Sequence, residues 1–249
     1  MRVLKIVAEG LTTSFRYPHF IQSVHPTFPL PPPSTIYGHI ASALGEWFDP
    51  QGVQFAYHFS YAAKERHIEH TIIVSPSSGK LKGSDIPKVL EGNVNPFYRE
   101  LFFFPRLTLY INREEWLPAF QSPRYPVVLG RSQDLFSYTQ ISVVTLAQAG
   151  EAYFERTLLP YNANRQTGRG YAILMPRYLD NQRLRYPEFA RYFVVEERVS
   201  SREFWWFGQK PDGVRYWVDP DSPEVKGERL GLAWLRFVGE DDETYLLAG

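Results

Sequence analysis

The chain has 249 residues, 44% of them apolar and 22% charged, with 27 basic and 27 acidic side chains. That composition is ordinary for a folded protein, and the length suffices for one large domain or two small ones. The absence of cysteine excludes a disulfide framework, a cysteine–zinc site, an iron–sulfur cluster and a thiol nucleophile.

The neutral total hides an asymmetry. Residues 1–198 carry 21 basic and 17 acidic side chains, and residues 199–249 carry 6 and 10. Arginine outnumbers lysine 20 to 7. A basic surface can therefore sit on the first part of the chain, and guanidinium groups suit phosphates and flat rings; a general bias toward arginine accounts for the same count. No window approaches the roughly 20 apolar residues of a membrane helix. The opening residues 1–7 interleave charged with apolar residues, unlike a signal peptide, so a cytoplasmic protein without membrane contact is expected.

Strand signals dominate. Val3 to Ala8 is apolar on both faces, as in a central strand, and Thr12 to Phe15 could continue it. Six prolines between Pro18 and Pro33 make a stiff lead that cannot be a sheet interior. The lead ends at Ser34-Thr35, which read as helix caps. Ile36, Ile40 and Leu44 then repeat at helical spacing, and Gly45 suits the stop. Phe55, Tyr57 and Phe59 alternate as a strand, and His70 to Ser75 reads as another, with the polar Lys64-Glu65-Arg66-His67 between them. Pro76 to Asp85 reads as a long exposed excursion. Phe102 to Ile111 returns to strand character, broken at Pro105, and Glu114 to Phe120 reads as a short helix capped by Asn112. Ile141–Leu146, Tyr153–Leu158 and Tyr171–Met175 read as strands, and beyond about residue 190 short aromatic strands alternate with turns. The order strand–helix–strand–strand–short helix–strand predicts an α+β fold: a ferredoxin-like βαββαβ core with a β-rich extension.

Several clusters could carry chemistry. The amino end of the first helix, at Ser34, Thr35 and Gly38, offers free N–H groups and a positive dipole end to a phosphate, but the favoured reading is a rigid proline lead that docks that helix on the sheet. Leu129-Gly130-Arg131-Ser132 could grip a phosphate through backbone, guanidinium and hydroxyl, or be a surface turn. Arg165 to Gly170 holds two arginines and two glycines in a polar loop, suited to a nucleic-acid backbone or to solvent. Lys80, Lys82 and Lys88 on the excursion would add salt-dependent affinity for a polyanion. His67 and His70 flank Glu69, but no third ligand cluster lies nearby, so exposed histidines are expected rather than a metal site. Tyr61, Lys64 and His67 would be the candidates for acid–base cleavage of RNA. No Walker loop, Gly-x-Ser-x-Gly elbow, His-Glu-x-x-His or dinucleotide fingerprint occurs, and no cofactor is expected.

Taken together, Arg16-Tyr17-Pro18, the run from Phe28 through Pro31-Pro32-Pro33-Ser34-Thr35-Ile36-Tyr37-Gly38 to Gly45, and the segment from Tyr125 to Asp134 resemble the two signatures of the Cas-five family. These are the CRISPR-associated RAMP subunits of type I Cascade. Phe154 to Asn162 is similar to the type I-B branch. The resemblance implies an RRM-like RAMP domain over residues 1–175, with a projecting β-hairpin thumb at about 62–105, followed by a variable C-terminal part; the β-rich extension of residues 176–249 is read from the residues themselves. It implies a subunit that holds the 5′ handle of the crRNA and caps the backbone filament, for RNA-guided DNA recognition in antiviral defence. Partners would be the Cas-seven backbone subunit, the Cas-eight large subunit and, through the complex, target DNA.

In most subtypes this subunit is not catalytic; in one branch it cleaves precursor crRNA without metal, using in part an adjacent Lys-His pair. This chain has no Lys-His dipeptide. A non-catalytic subunit is therefore expected, with a repeat-cleaving ribonuclease as the alternative. Arg16, Arg131, Arg165 and Arg169 are the expected handle contacts, Ser132 a phosphate hydroxyl, and Tyr37 or His25 a base or sugar contact. Lys80 and Lys82 would sit on the thumb.

Overall fold

The first strand, β1 (Arg2–Gly10), is the centre of the main sheet, and its residues Val3 to Ala8 are all buried. This follows from its sequence: a strand that is apolar on both faces is stable only when both faces are covered. The computed structural model describes residues 1–20, 23–161, 165–206 and 213–239; for Glu91, Arg165, Gln166 and Trp206 it describes the backbone alone.

Helix α1 (Pro33–Leu44) follows the proline lead. Its buried Ile36, Ile40 and Ala43 join Leu4, Ile6 and Ala8 of β1 in the main core. Gly45 ends it in the left-handed region, with its N–H on the Ala41 carbonyl. The expected caps Ser34 and Thr35 lie inside the first turn instead. Pro32 is the cap and Pro33 the first helical residue, because a proline already has a helical φ and has no N–H to leave unpaired.

Next come β2 (Gln54–Ser60), then the long antiparallel pair β3 (Ala63–Pro76) and β4 (Leu90–Phe103), then β5 (Arg106–Ile111). The β3–β4 register runs from Ala63 opposite Phe103 to Pro76 opposite Leu90. The charged run at 64–67 therefore belongs to a strand. Residues 64–67 are exposed there, so no buried face demands apolar side chains at those positions. After β5 comes a single turn of 3-10 helix and α2 (Leu117–Gln121). Asn112 does not cap it: its side chain accepts from the Gln54 N–H and donates to the Gly52 carbonyl, fastening β2 to β5.

Strand β6 (Phe136–Thr145) completes the second half. Further on, β7 (Thr157–Pro160), β8 (Tyr171–Asp180) and β9 (Tyr186–Val195) form a three-stranded sheet in the order β7-β9-β8. A last short strand, β10 (Leu235–Arg236), joins the main sheet, whose order is β10-β2-β5-β1-β6 with every neighbour antiparallel.

The expected division at 175/176 falls inside β8. Met175 and Tyr192 reach into the main core, and so do Leu235 and Phe237 from the tail. The chain beyond 176 thus supplies part of the core of the first part. It also covers the second face of the main sheet, where Leu230, Leu232 and Trp234 pack on Val3, Ala56 and Tyr110. On that face the Lys5 ammonium meets the Asp219 carboxylate, both buried.

Candidate nucleic-acid interface

The turn from Gly130 to Asp134 is held by one buried carboxylate. Asp134 accepts from the Arg131 backbone N–H at 3.0 Å, from Arg131 Nε at 2.9 Å and Nη2 at 2.7 Å, and from the Thr12 hydroxyl at 3.2 Å. Arg131 Nη1 reaches Glu69 on β3, which also takes Arg99 Nε at 2.7 Å. Burial works against the Arg131 charge, but Asp134 and Glu69 outweigh it and raise the guanidinium pKa. Burial likewise opposes the Glu69 carboxylate, and Arg99 and Arg131 outweigh it and lower its pKa. Arg131 is thus neutralised by two carboxylates and acts as a brace between the turn and the arm. The expectation of a free phosphate grip at Arg131 is corrected. Glu69 lies 62 residues away in sequence, and nothing local announces it. Ser132 is exposed on the same turn.

Two other expected contacts are also corrected. His25 is 7% exposed; it pairs beside β4, stacks on Phe97 at 4.4 Å, and its Nδ1 lies 3.2 Å from Arg99 Nη2. Tyr37 is 3% exposed and faces the core between Phe48, Tyr178 and Phe237, with its hydroxyl donating to the Phe48 carbonyl at 2.7 Å. Neither ring can reach a base. Tyr37→Phe should therefore cost about 1 kcal/mol of stability, the net worth of one buried hydrogen bond. Urea denaturation checks that cost.

The remaining expected residues are spread out. Lys80 and Lys82 are exposed at the arm tip, Lys80 Nζ lying 2.6 Å from Asp85. The side chain of Arg165 lies outside the described residues. Arg169 lines a separate cavity of about 400 Å³ with Arg198, Arg202 and Lys226, but Glu203 and Glu228 line it too. Each of those three arginines is paired with a glutamate. On β3, Lys64 and His67 are three residues apart and so on opposite faces of the ribbon, which separates two of the three acid–base candidates. His67 and His70 are divided in the same way.

What the fold does bring together is the amino end of α1, the Gly130 turn and the β8–β9 hairpin. They enclose a cavity of about 570 Å³ lined by Arg16, Ser34, Thr35, Gly130, Arg131, Arg185 and Phe189, among others, and no carboxylate lines it. Arg16 is exposed and held in place by backbone pairing with Thr27. Arg185 sits where the β8–β9 connection turns back through left-handed Leu184 and Arg185. Arg185 and Phe189 are not among the expected contacts because, of the 171–195 hairpin, only Tyr171–Met175 reads as a strand from sequence. Arg183-Leu184-Arg185 between two aromatic-rich runs was the available signal.

No family model matches the chain, and no curated protein matches it. Among solved structures, the chain is similar to one described as a CRISPR protein from Archaeoglobus fulgidus. The TM-score is 0.50 at 10% identity, over 95% of this chain and 100% of that one. A chain of a CRISPR RNA-guided surveillance complex gives 0.49 at 13% identity, over 81% and 92%. At such identity the first likeness establishes a shared α+β, strand-rich fold.

Proposed function

We propose that the protein is a non-catalytic, RNA-binding subunit of a type I CRISPR Cascade, of the Cas-five kind, that holds the 5′ handle of the crRNA. The observation that carries the reading is the cavity without a lining carboxylate that holds Arg16 and Arg185, both unpaired among the described residues, beside the half-exposed Phe189. Single-stranded RNA is held by guanidinium groups on phosphates and by flat rings under splayed bases.

The fold supports this. The strand order β2-β5-β1-β6, with α1 between β1 and β2 and α2 between β5 and β6, is compatible with the ferredoxin-like RAMP core that this reading requires. On this reading the β3–β4 arm is the thumb. Outward from Ile68, one arm face is mostly apolar, with Ile68, Tyr98, Ile72 and Val94 each at least half exposed and His70 among them. A free two-stranded ribbon is marginal in water, so that face fits a neighbouring backbone subunit such as Cas-seven. The separation of Lys64 from His67 favours binding over cleavage, and a cytoplasmic complex is the matching setting.

The test is a fluorescence titration of labelled repeat-derived handle RNA and of a scrambled RNA, at several salt concentrations. The handle should bind tighter than the scramble and remain uncut in EDTA. Arg16→Ala/Arg185→Ala should weaken handle binding about tenfold or more. It should also flatten the log–log salt slope by about 1.4, from two phosphate contacts at roughly 0.7 each on a single strand. Equal affinity for the scramble would sink the handle assignment, and specific cleavage would sink the non-catalytic one.

A further inference from the structure

The amino end of α1 has no side-chain cap. The Thr35 and Ile36 N–H groups turn back to the Pro32 carbonyl, at 2.8 and 3.2 Å, and Pro33 has no N–H. The Ser34 N–H is left without a protein acceptor among the described residues. Ser34 and Thr35 are half-buried in the cavity wall, and their hydroxyls have no hydrogen-bond partner there either. The same cavity holds a second, independent feature. Ser14 lines the same cavity, is 2% exposed, and its hydroxyl is buried without a partner. A buried hydroxyl left unmatched is costly, so it calls for a ligand atom or a water. Two arginines complete the ring: among the described residues neither Arg16 nor Arg185 has an ion-pair partner. In the cavity at Arg169 the three arginines are already paired with glutamates.

We infer that this cavity is a seat for one phosphate group, with the Ser34 amide and the Ser14, Ser34 and Thr35 hydroxyls binding its oxygens and Arg16 and Arg185 balancing its charge. A helix amino end favours an anion through both its free N–H groups and its dipole. Such a seat is blind to base identity and fixes the position of a strand rather than its sequence. The inference deepens the RNA-binding reading, and rests on it only for what the phosphate is attached to. The group could be an internal phosphodiester or a 5′-terminal phosphate.

The experiment uses the full chain and three kinds of probe. In the first, inorganic phosphate is titrated against the thermal unfolding midpoint of the wild type and of Ser34→Ala/Thr35→Val. The wild type should be stabilised at millimolar phosphate, and the variant should need at least fivefold more for the same shift. The midpoints without phosphate show that both chains fold. In the second, a short oligonucleotide is compared with a 5′-hydroxyl and a 5′-phosphate; at least tenfold preference for the phosphate places a chain end in the seat. In the third, methylphosphonates replace single linkages; a loss of at least tenfold at one linkage places a diester there. Phosphate that stabilises neither protein, with oligonucleotides indifferent to both modifications, overturns the seat. A seat that passes while handle and scrambled RNA bind equally keeps the phosphate inference and removes the handle reading.

Discussion

Asp219→Ala should lower folding stability by about 3–5 kcal/mol, the range for breaking a buried charge pair by removing one partner. Asp219 is 1% exposed and Lys5 is 8% exposed, and their charged atoms are in contact. The Tyr110 hydroxyl donates to the same carboxylate oxygen at 2.6 Å, and the Asp221 N–H takes the other at 2.9 Å. Alanine would leave an ammonium on the central strand with no counter-charge, and a buried hydroxyl with no acceptor. Removing both charges should be gentler than removing one. Lys5→Met/Asp219→Asn is therefore expected to be more stable than Asp219→Ala when the two are compared by urea denaturation at pH 7.

The acid limb of stability should follow from the same residue. Burial pushes the Asp219 pKa up, and the hydrogen bonds from Lys5 and Tyr110 outweigh it, so the folded value lies below the ordinary one. A carboxylate depressed in the folded state contributes stability above its unfolded pKa of about 3.9 and loses it as the pH falls through the folded value. Glu155 acts in the same sense, drawn down to about 2 chiefly by the hydrogen bond with His58, against burial and with help from Arg198. Stability should thus hold down to about pH 4 and fall below it. A double variant Lys5→Met/Asp219→Asn with an unchanged acid limb would remove Asp219 from this account.

The features legible in the sequence are those fixed by neighbours a few residues apart. Leu4, Ile6 and Ala8 declare a buried strand; Ile36, Ile40 and Leu44 declare one helix face; Gly45 declares its end. Features fixed by distant partners could not be read. Arg131 looked like a phosphate ligand because Gly-Arg-Ser is exposed chemistry in a linear chain, yet Glu69 on the arm and the buried Asp134 consume its donors. His25 and Tyr37 looked like polar handles, but their burial comes from β4 in one case and from β8 and the tail in the other. The tail looked like a separate unit because no periodicity shows that Leu235 pairs with Phe55, on the far side of the chain. The phosphate reading of the first helix is carried forward only as the proposal above. Its evidence is a set of polar groups that the protein leaves unpaired, and sequence marks only their types.

Gly130→Ala is the second large expectation, and it links the turn chemistry to the candidate site. Gly130 has φ +97°, a conformation that costs a side-chain-bearing residue roughly 1–2 kcal/mol. A Cβ there would lie 2.5 Å from Thr13 Oγ1 and 2.8 Å from the Ser14 carbonyl oxygen. The Thr13 hydroxyl is itself bonded to the Leu129 carbonyl, so it cannot simply swing aside. Such overpacking costs about 1–3 kcal/mol, for a total destabilisation of about 2–5 kcal/mol. The movement would displace Ser14 and Arg131, so weaker RNA binding is expected under conditions where the variant remains folded. Gly38→Ala is the matched comparison. Gly38 is inside α1, and its added Cβ would meet nothing within 4 Å. That variant should gain about 0.5–1 kcal/mol from helix propensity. The opposite signs are measurable side by side in urea. A Gly130→Ala chain as stable as the wild type would mean that the 130–134 turn does not lie against Thr13 and Ser14, and the wall of the cavity would then be built differently.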